Sequence, residues 1–413
     1  MAGRSGELQR TLGLSDAVII GAGSMIGAGV FAAWAPAAEA AGTGLLVGLV
    51  VAALVAFCNA SSSAQLAATH PQAGGTYLYG RRQLGPIWGY LAGWGFVVGK
   101  TASCAAMALT VGAYLWPEHD VAMAIAAVAG ITLVNIGGLS RTVAVTRVLM
   151  IVSLTALTGV VLAGWSSPAA DLGRITPIDS GAFDMLRSAG FLFFAFAGYA
   201  RIATLGEEVR DPAITIPRAI AWALGAVLVV YAVVGVTTLA VVPATDLGDA
   251  TAPLRLVAEA GRFDVVAGVV RIGAGVAALG VLLNLIPGVS RTALAMARDR
   301  ELPHWFAHVH PTRSLPLRAE LTLAAVIIGL ITVLDLRSAI GISGVAVLTY
   351  YAITNAAALT LPDVRQRRRA VAVVGLVGCI VLVAALPPRV VLTGAATLLV
   401  GLVVRVLARR QPG

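Results

Sequence analysis

Four glycines lie within nine residues near the start of the chain, in the stretch Gly21-Ala22-Gly23-Ser24-Met25-Ile26-Gly27-Ala28-Gly29. This stretch is part of an apolar run that extends from about residue 17 to residue 41. Glycine destabilises the interior of a helix, so the sequence predicts a helix that is interrupted in its middle. Backbone N–H and C=O groups without helix partners are tolerated in a membrane only where they face protein or a water-filled cavity, so they can bind a ligand there.

A single lysine lies in the middle of another apolar run. Lys100 is the only lysine among the 29 basic residues. An ionisable side chain near the centre of a bilayer costs about 3 kcal/mol or more on insertion scales, so Lys100 is predicted to face the protein interior and to have a function. A buried lysine can lose and regain a proton. The alternative is a static cation that pairs with carbonyls freed at the first break.

The composition places these residues in a membrane protein. Of the 413 residues, 58% are hydrophobic and 12% are charged, whereas charged residues make up about 25% of soluble proteins. The chain is therefore predicted to cross a membrane many times. Cys58, Cys104 and Cys379 all lie in apolar runs without metal-ligand spacing, which favours packed thiols over a disulfide or a metal site.

Apolar runs of about 20 residues predict twelve membrane-spanning helices, numbered here as spans 1 to 12. No soluble domain is predicted between them. Their approximate limits are residues 17–41, 43–66, 86–115, 121–139, 146–165, 187–206, 218–242, 264–288, 319–334, 338–361, 370–386 and 389–407.

The basic residues predict the orientation of these spans. With a cytoplasmic N-terminus, 20 of the 29 basic residues fall in segments predicted to be cytoplasmic and 6 fall in the opposite loops. Such a bias is typical of the positive-inside rule, so both termini are predicted to lie on the cytoplasmic side of the cell membrane. The net charge of +9 then follows from topology, and it requires no nucleic-acid partner.

The longest predicted cytoplasmic loop, residues 290–318, contains three histidines. The spacing His304-x3-His308-x-His310 could suggest a metal site. The loop has no cysteine and no suitable set of carboxylates, so an amphipathic helix at the membrane interface is favoured over a metal centre. The cluster Arg365-Gln366-Arg367-Arg368-Arg369 is interpreted as an orientation signal that can touch anionic lipid.

A second interrupted helix is predicted in span 6, where Phe193-Phe194-Ala195-Phe196-Ala197-Gly198-Tyr199 is followed by Glu207-Glu208-Val209-Arg210-Asp211-Pro212. The prediction of this break is weaker than that of the first because the segment has one glycine, but the position of the segment in the chain supports it. Spans 1–5 and 6–10 would each begin with an interrupted helix, which is the pattern of an inverted repeat with a binding site between its halves. The predicted divisions are residues 1–166, 185–361 and 369–407, and the last holds two C-terminal helices.

Four motifs resemble those of the amino acid–polyamine–organocation (APC) superfamily. The stretch from Gly21 to Phe31 resembles its G-x-G-x-x-I-G-x-G-[IV]-F motif, and residues 193–217 resemble its F-F-A-F-x-G … E-E-x-x-x-P … I-P segment. The loops at residues 71–77 and 291–303 agree with the same superfamily. Four ordered motifs are more specific than a lone glycine pattern. The resemblance, to its bacterial amino acid permease and cationic amino acid transporter-like branch, implies a 5+5 inverted repeat that moves an amino acid by alternating access, without catalytic residues or a cofactor.

This resemblance gives the two breaks a role in amino acid binding. The half-helix after residues 24–27 presents free N–H groups and a positive dipole end, which suit an α-carboxylate. Carbonyls freed at Ala22, Gly23 and residues 195–198 would accept hydrogen bonds from an α-ammonium group. Aromatic side chains of span 6 are candidates for a gate or a side-chain pocket. The predicted substrate-binding residues are Ala22, Gly23, Ser24, Met25, Ile26, Gly27, Ala28, Phe194, Ala195, Phe196, Ala197, Gly198 and Tyr199.

Proton-coupled relatives in this superfamily have a lysine on helix 5, at a position that falls near Ser153 here. We expect Lys100, from a neighbouring helix, to supply the displaced amine and to couple proton movement to transport. At the cytoplasmic end of span 6, Glu207 and Glu208 are predicted to form an inner gate with loop arginines. A solvated helix end is the alternative reading of these two acids.

Arg201 bears on the choice of substrate. Many relatives have an acid at the position of Ala200, where it would meet a cationic side chain, and here an arginine follows that position. A neutral or anionic amino acid is therefore favoured. Amino acid or polyamine antiport, and a non-transporting membrane sensor with the same fold, stay open as alternatives. Arg271, nearer the outer face, is expected to snorkel towards the interface.

Overall fold

The computed structural model describes residues 12–27, 29–70, 74–137, 143–176, 178–199, 202, 209–310, 315–362 and 366–410. These residues form helices and connecting turns, with a single β-bridge between Leu12 and Val209. The α-helices, numbered in chain order, are α1 (Leu14–Met25), α2 (Gly29–Ala32), α3 (Trp34–Ala41), α4 (Leu45–Thr69), α5 (Gly75–Gln83), α6 (Pro86–Leu115), α7 (Asp120–Ile136), α8 (Val143–Ser166), α9 (Ala182–Phe196), α10 (Pro212–Val241), α11 (Ala244–Asp249), α12 (Pro253–Glu259), α13 (Asp264–Arg298), α14 (Leu317–Val333), α15 (Leu336–Leu359), α16 (Gln366–Ala385) and α17 (Pro388–Arg410).

Ten segments of the described chain are long and apolar enough to cross a membrane. The all-α, multi-pass membrane architecture is thereby confirmed, although two of the twelve predicted spans fall short. Span 6 is represented by α9, which has 15 residues because it ends at the predicted break. Span 9 is represented by α14, which has 17 residues.

Helix α6 is the central column of the bundle. Every residue from Gly99 to Tyr114 is buried, and α6 packs against α7, α13, α14 and α15. Its contact with α15 depends on a glycine, since a Cβ atom on Gly99 would lie 2.8 Å from Cγ2 of Val347. The middle of α6, which carries Lys100, is therefore enclosed by other helices.

The helix ends fall at two opposite faces of the bundle. We call the face at which α1 begins and α4 ends the N-terminal face. At this face the last helix is fixed to the loop after α13, because Arg405 Nε and Arg409 Nη2 lie 2.6 and 2.7 Å from the carboxylate of Glu301. Burial by itself would raise the pKa of Glu301, but the hydrogen bonds from the two guanidinium groups outweigh it and the pKa is lowered.

The loop after α13 differs from the predicted interfacial helix. Among residues 299–310, only the 3-10 turn His304–Ala307 is helical. Pro303 precedes this turn, and Pro311 in the sequence disfavours a helical conformation for the residue before it. The exposed ring of Trp305 instead lies beneath the guanidinium of Arg318, whose Cζ is 4.5 Å from the ring centroid.

Candidate functional site

The first helix break lies inside the predicted glycine-rich stretch. Helix α1 ends at Met25 and α2 begins at Gly29. The N–H of Ile26 donates to the Ala22 carbonyl at 2.7 Å, and the N–H of Gly27 donates to the Met25 carbonyl at 2.7 Å. The expectation of a free Ala22 carbonyl is therefore wrong for this structure, because the last hydrogen bond of α1 runs from the N–H of Ile26 to this carbonyl.

The second break follows α9. The helix ends at Phe196 and gives way to a 3-10 turn, Ala197–Tyr199. The described chain resumes with Ile202 and then Val209. Several predicted positions therefore lie outside the described residues: Ala28, Ala200, Arg201, Glu207 and Glu208.

The two breaks are packed directly against each other through glycines. A Cβ atom on Gly198 would overlap the carbonyl oxygen of Ser24, and a Cβ atom on Gly29 would lie 2.9 Å from Cα of Ala195. Only a residue without a side chain allows such an approach of two backbones. The structure thus brings together the two stretches that the sequence marks separately.

A tyrosine from a third helix joins the two breaks. The hydroxyl of Tyr231, in α10, lies 2.7 Å from the Met25 carbonyl oxygen and 3.1 Å from the Ala195 carbonyl oxygen. Its single proton can be donated to either carbonyl. Sequence reasoning missed this residue, although a tyrosine inside a long apolar helix signals that its hydroxyl needs a buried partner.

The aromatic residues of span 6 differ in their surroundings. Phe196 and Tyr199 are both 0% exposed. The Phe196 ring lies 5.2 Å from that of Tyr231, and the Tyr199 ring lies 5.1 Å from that of Tyr351 in α15. Phe194 is only partly buried and packs on a separate apolar cluster, so Phe196 and Tyr199 are the aromatic side chains that surround the paired breaks.

Lys100 lies in the middle of the 30-residue helix α6 and is 8% exposed. Within the described residues its ammonium group has no hydrogen bond or ion pair. Ser103, on the same face of α6, bonds to Ser343 of α15 at 2.7 Å.

Ser153 in α8 donates to the Leu149 carbonyl of its own helix at 2.9 Å. Arg271 donates to the Leu115 carbonyl at 2.6 Å.

Each half of the broken first helix ends in an ion pair. At the N-terminal face, Asp16 of α1 lies 2.9 Å from the guanidinium of Arg147 in α8. At the opposite face, Glu39 of α3 pairs with Arg337 of α15, which also donates to the Gly248 carbonyl. Sequence reasoning did not predict either pair, since it looked for acids of span 6 at the N-terminal face.

A cavity of about 650 Å³ opens at the opposite face. It is lined by residues at the end of α3, by the loop between α8 and α9, and by the end of α10. Arg174 and Asp179 bring one charge of each sign to its wall. The cavity lies beside the Glu39–Arg337 ion pair and is separate from the residues of the two breaks.

The geometry agrees with a comparison of the whole chain. The model of the amino acid permease family matches residues 12–406. The chain belongs to this family. As a permease it is a transporter of amino acids in a lipid bilayer, and the predicted membership of the APC superfamily is confirmed.

Relatives of this permease include proteins with different named substrates. An uncharacterized transporter of Mycobacterium tuberculosis is 58% identical over 410 residues, which cover 98% of this chain and 93% of the relative. The branched-chain amino acid permease BcaP of Bacillus subtilis is 28% identical over 76% of this chain and 73% of its own length. Cationic amino acid transporter 7 of Arabidopsis thaliana is 27% identical over 85% of this chain and 66% of its own length.

The contact between the breaks can be tested with Gly198→Ala. The added methyl group would overlap the Ser24 carbonyl, and overpacking between backbones costs about 1–3 kcal/mol. We expect a lower unfolding temperature of the purified protein. Gly225→Ala in α10 is the matched control, because nothing lies within 4 Å of its Cβ position and the exchange there stabilises a helix by about 0.5–1 kcal/mol. Equal effects of the two variants on the unfolding temperature would contradict the contact.

Proposed function

We propose that this permease is a secondary active transporter that moves an amino acid across the cytoplasmic membrane by alternating access. Both termini, and hence the N-terminal face, lie on the cytoplasmic side. This proposal rests on the contact between the two breaks. The hydroxyl of Tyr231 joins them, since it lies 2.7 and 3.1 Å from one carbonyl oxygen of each break. Two interrupted helices in contact are typical of a substrate site between inverted repeats.

The breaks supply a site for the α-carboxylate and the α-ammonium group, which all amino acids share. The start of the outer half of the first helix, at Gly29, would offer backbone N–H groups and a positive dipole end to the α-carboxylate. Carbonyls of residues 195–198 suit the α-ammonium group. No charged side chain is needed for this recognition, and we assign contact with the substrate side chain to Phe196 and Tyr199.

A neutral or anionic amino acid is the proposed substrate class. The sequence has an arginine, Arg201, directly after the position where an acid would meet a cationic substrate. The named relatives support both branched-chain and cationic substrates for their own chains, so the preference of this chain rests on its own residues.

Binding of substrate can be measured directly. We expect a neutral or an anionic amino acid, tested with leucine and glutamate, to raise the unfolding temperature of the purified protein, because a ligand at 100 times its Kd stabilises by about 2.7 kcal/mol. Arginine, lysine and putrescine serve as cationic comparisons. Stabilisation by the cationic ligands alone would contradict the proposed substrate class, and stabilisation by none of the panel would contradict amino acid binding.

Lys100 is proposed to couple proton movement to transport. It is a buried cation without a described partner, and it lies one helical turn from Phe96. The rings of Phe96, Tyr350, Tyr351 and Tyr199 follow one another with centroid distances of 5.6, 5.0 and 5.1 Å. This series connects the surroundings of Lys100 with the second break.

Lys100→Gln tests this coupling. The variant removes the titratable amine, so we expect reconstituted vesicles to lose uphill accumulation driven by a proton gradient while still exchanging internal for external substrate. Arg271→Gln is the matched control, since it removes another cation from the membrane region without touching the breaks. Accumulation of substrate by Lys100→Gln with unchanged pH dependence would contradict the role of Lys100, and exchange without accumulation in the unmodified protein would favour an antiporter.

Tyr231→Phe tests the link between the breaks. Loss of the hydroxyl removes the hydrogen bond that links α10 to the two breaks, and a typical hydrogen bond contributes about 0.5–1.5 kcal/mol, so both the unfolding temperature and the transport rate should fall. Tyr114→Phe is the matched control, because Tyr114 donates to the Phe31 carbonyl at 2.9 Å away from the interface of the breaks. We expect Tyr114→Phe to lower stability alone. Equal loss of transport in both variants would argue against a special role for Tyr231.

A further inference from the structure

A cluster of polar side chains lies inside the bundle, apart from the substrate site. Asn59 of α4, Asn355 of α15 and Cys379 of α16 are each 0% exposed. Polar groups in the membrane interior are costly unless they are paired, so three of them at one junction of three helices require an explanation.

Part of the hydrogen-bonding capacity of this cluster is satisfied internally. The amide nitrogen of Asn355 donates to Oδ1 of Asn59 at 2.6 Å and to the Tyr351 carbonyl at 2.9 Å. The thiol of Cys379 donates to the same Asn59 oxygen at 3.3 Å. These bonds use both protons of Asn355 and both acceptor positions of Asn59.

The remaining groups have no partner in the part of the chain that the structure describes. They are Nδ2 of Asn59, Oδ1 of Asn355 and Oγ of Ser62, which follows Asn59 by three residues on the same face of α4. The side chain of Ser62 is 0% exposed. The set therefore combines an unpaired donor, an unpaired acceptor and a hydroxyl that can act as either.

This combination selects among small ligands. A cation would meet the amide hydrogens of Asn59, and an anion would meet the oxygen of Asn355, whereas water can donate and accept at once. Buried water typically makes about three hydrogen bonds to groups that are otherwise unsatisfied. A glycine of α16 packs directly on this amide, since a Cβ atom on Gly375 would lie 2.6 Å from Oδ1 of Asn355.

We propose that Asn59, Ser62 and Asn355 form an internal water-binding site between α4, α15 and α16. Asn355 also bonds to the carbonyl of Tyr351, whose ring packs on Tyr199. The bound water thus lies behind the aromatic pair that adjoins the second break. It satisfies the amide pair at a place where the described residues offer no other partner.

The thiol of Cys379 is a natural reporter for this site. Thiol reagents attack the thiolate, which forms where water reaches the sulfur and not in dry apolar surroundings. The variant Cys58→Ala/Cys104→Ala keeps Cys379 as the single cysteine. The variant Cys58→Ala/Cys379→Ala/Lys100→Gln keeps Cys104, which is equally buried in α6, and removes the amine one turn away that would activate its thiol. The probe is methyl methanethiosulfonate, and the readout is the labelling rate by mass spectrometry of the full-length protein in detergent.

We expect Cys379 to be labelled about tenfold faster than Cys104, because water hydrates its neighbours. In the Cys379 background, Asn59→Leu/Asn355→Leu should reduce the rate to that of Cys104, and Ser62→Ala should reduce it severalfold. Ser61→Ala is the matched control, since the Ser61 hydroxyl bonds to the Phe57 carbonyl on the exposed side of α4.

Labelling of Cys379 no faster than Cys104 would overturn the proposal. A fast rate that neither Ser62→Ala nor the double leucine variant changes would overturn it as well. If the double variant does not fold, the labelling rates of Ser62→Ala and Ser61→Ala are compared, because both changes are small and lie one residue apart. Equal rates in these two variants would then overturn the proposal.

Discussion

The backbone groups at the two helix breaks must find hydrogen-bond partners inside a bundle that lipid surrounds. The bilayer core contains no water to form hydrogen bonds with these groups, so an isolated break would be strongly unfavourable. The structure meets this constraint by placing the breaks in contact, with Gly198 against Ser24 and Gly29 against Ala195. The hydroxyl of Tyr231 supplies a further donor that either facing carbonyl, Met25 or Ala195, can accept. An amino acid that binds there would compete for, or complete, the same set of bonds.

A broken helix has two halves that must be held separately, and this explains the ion pairs at the two faces. Asp16 anchors the half at the N-terminal face to Arg147, and Glu39 anchors the half at the opposite face to Arg337. Both pairs are partly exposed, so each contributes only about 0–1 kcal/mol. Such weak ion pairs can be exchanged for contacts with water during a transport cycle. The ion pairs of Arg405 and Arg409 with the buried Glu301 suit a helix that stays in place, because breaking a buried ion pair is costly.

The sequence was sufficient for features that depend on local composition. The glycines around Gly23 predicted the first break because glycine destabilises the interior of a helix, and long apolar runs predicted most of the spans. Partners from distant helices could not be predicted, since the spacing of Tyr231 or Arg147 in its own helix carries no information about the facing chain. The Ala22 carbonyl shows the limit even locally, because glycine spacing does not fix the residue at which α1 ends, and hence which carbonyls stay bonded.

In the proposed mechanism, recognition and coupling are assigned to different helices, and α15 connects them. Lys100 belongs to α6. The Tyr114 hydroxyl, about eight turns from the first residue of α6, bonds to the Phe31 carbonyl of the first broken helix, whereas the second break meets Tyr351 of α15. Helices α6 and α15 pack closely because Gly99 lies against Val347. If Lys100 couples protons as proposed, a change of its charge would act on α15 before it acts on the breaks. The proposed coupling would then depend on the packing of Gly99 as well as on the amine itself.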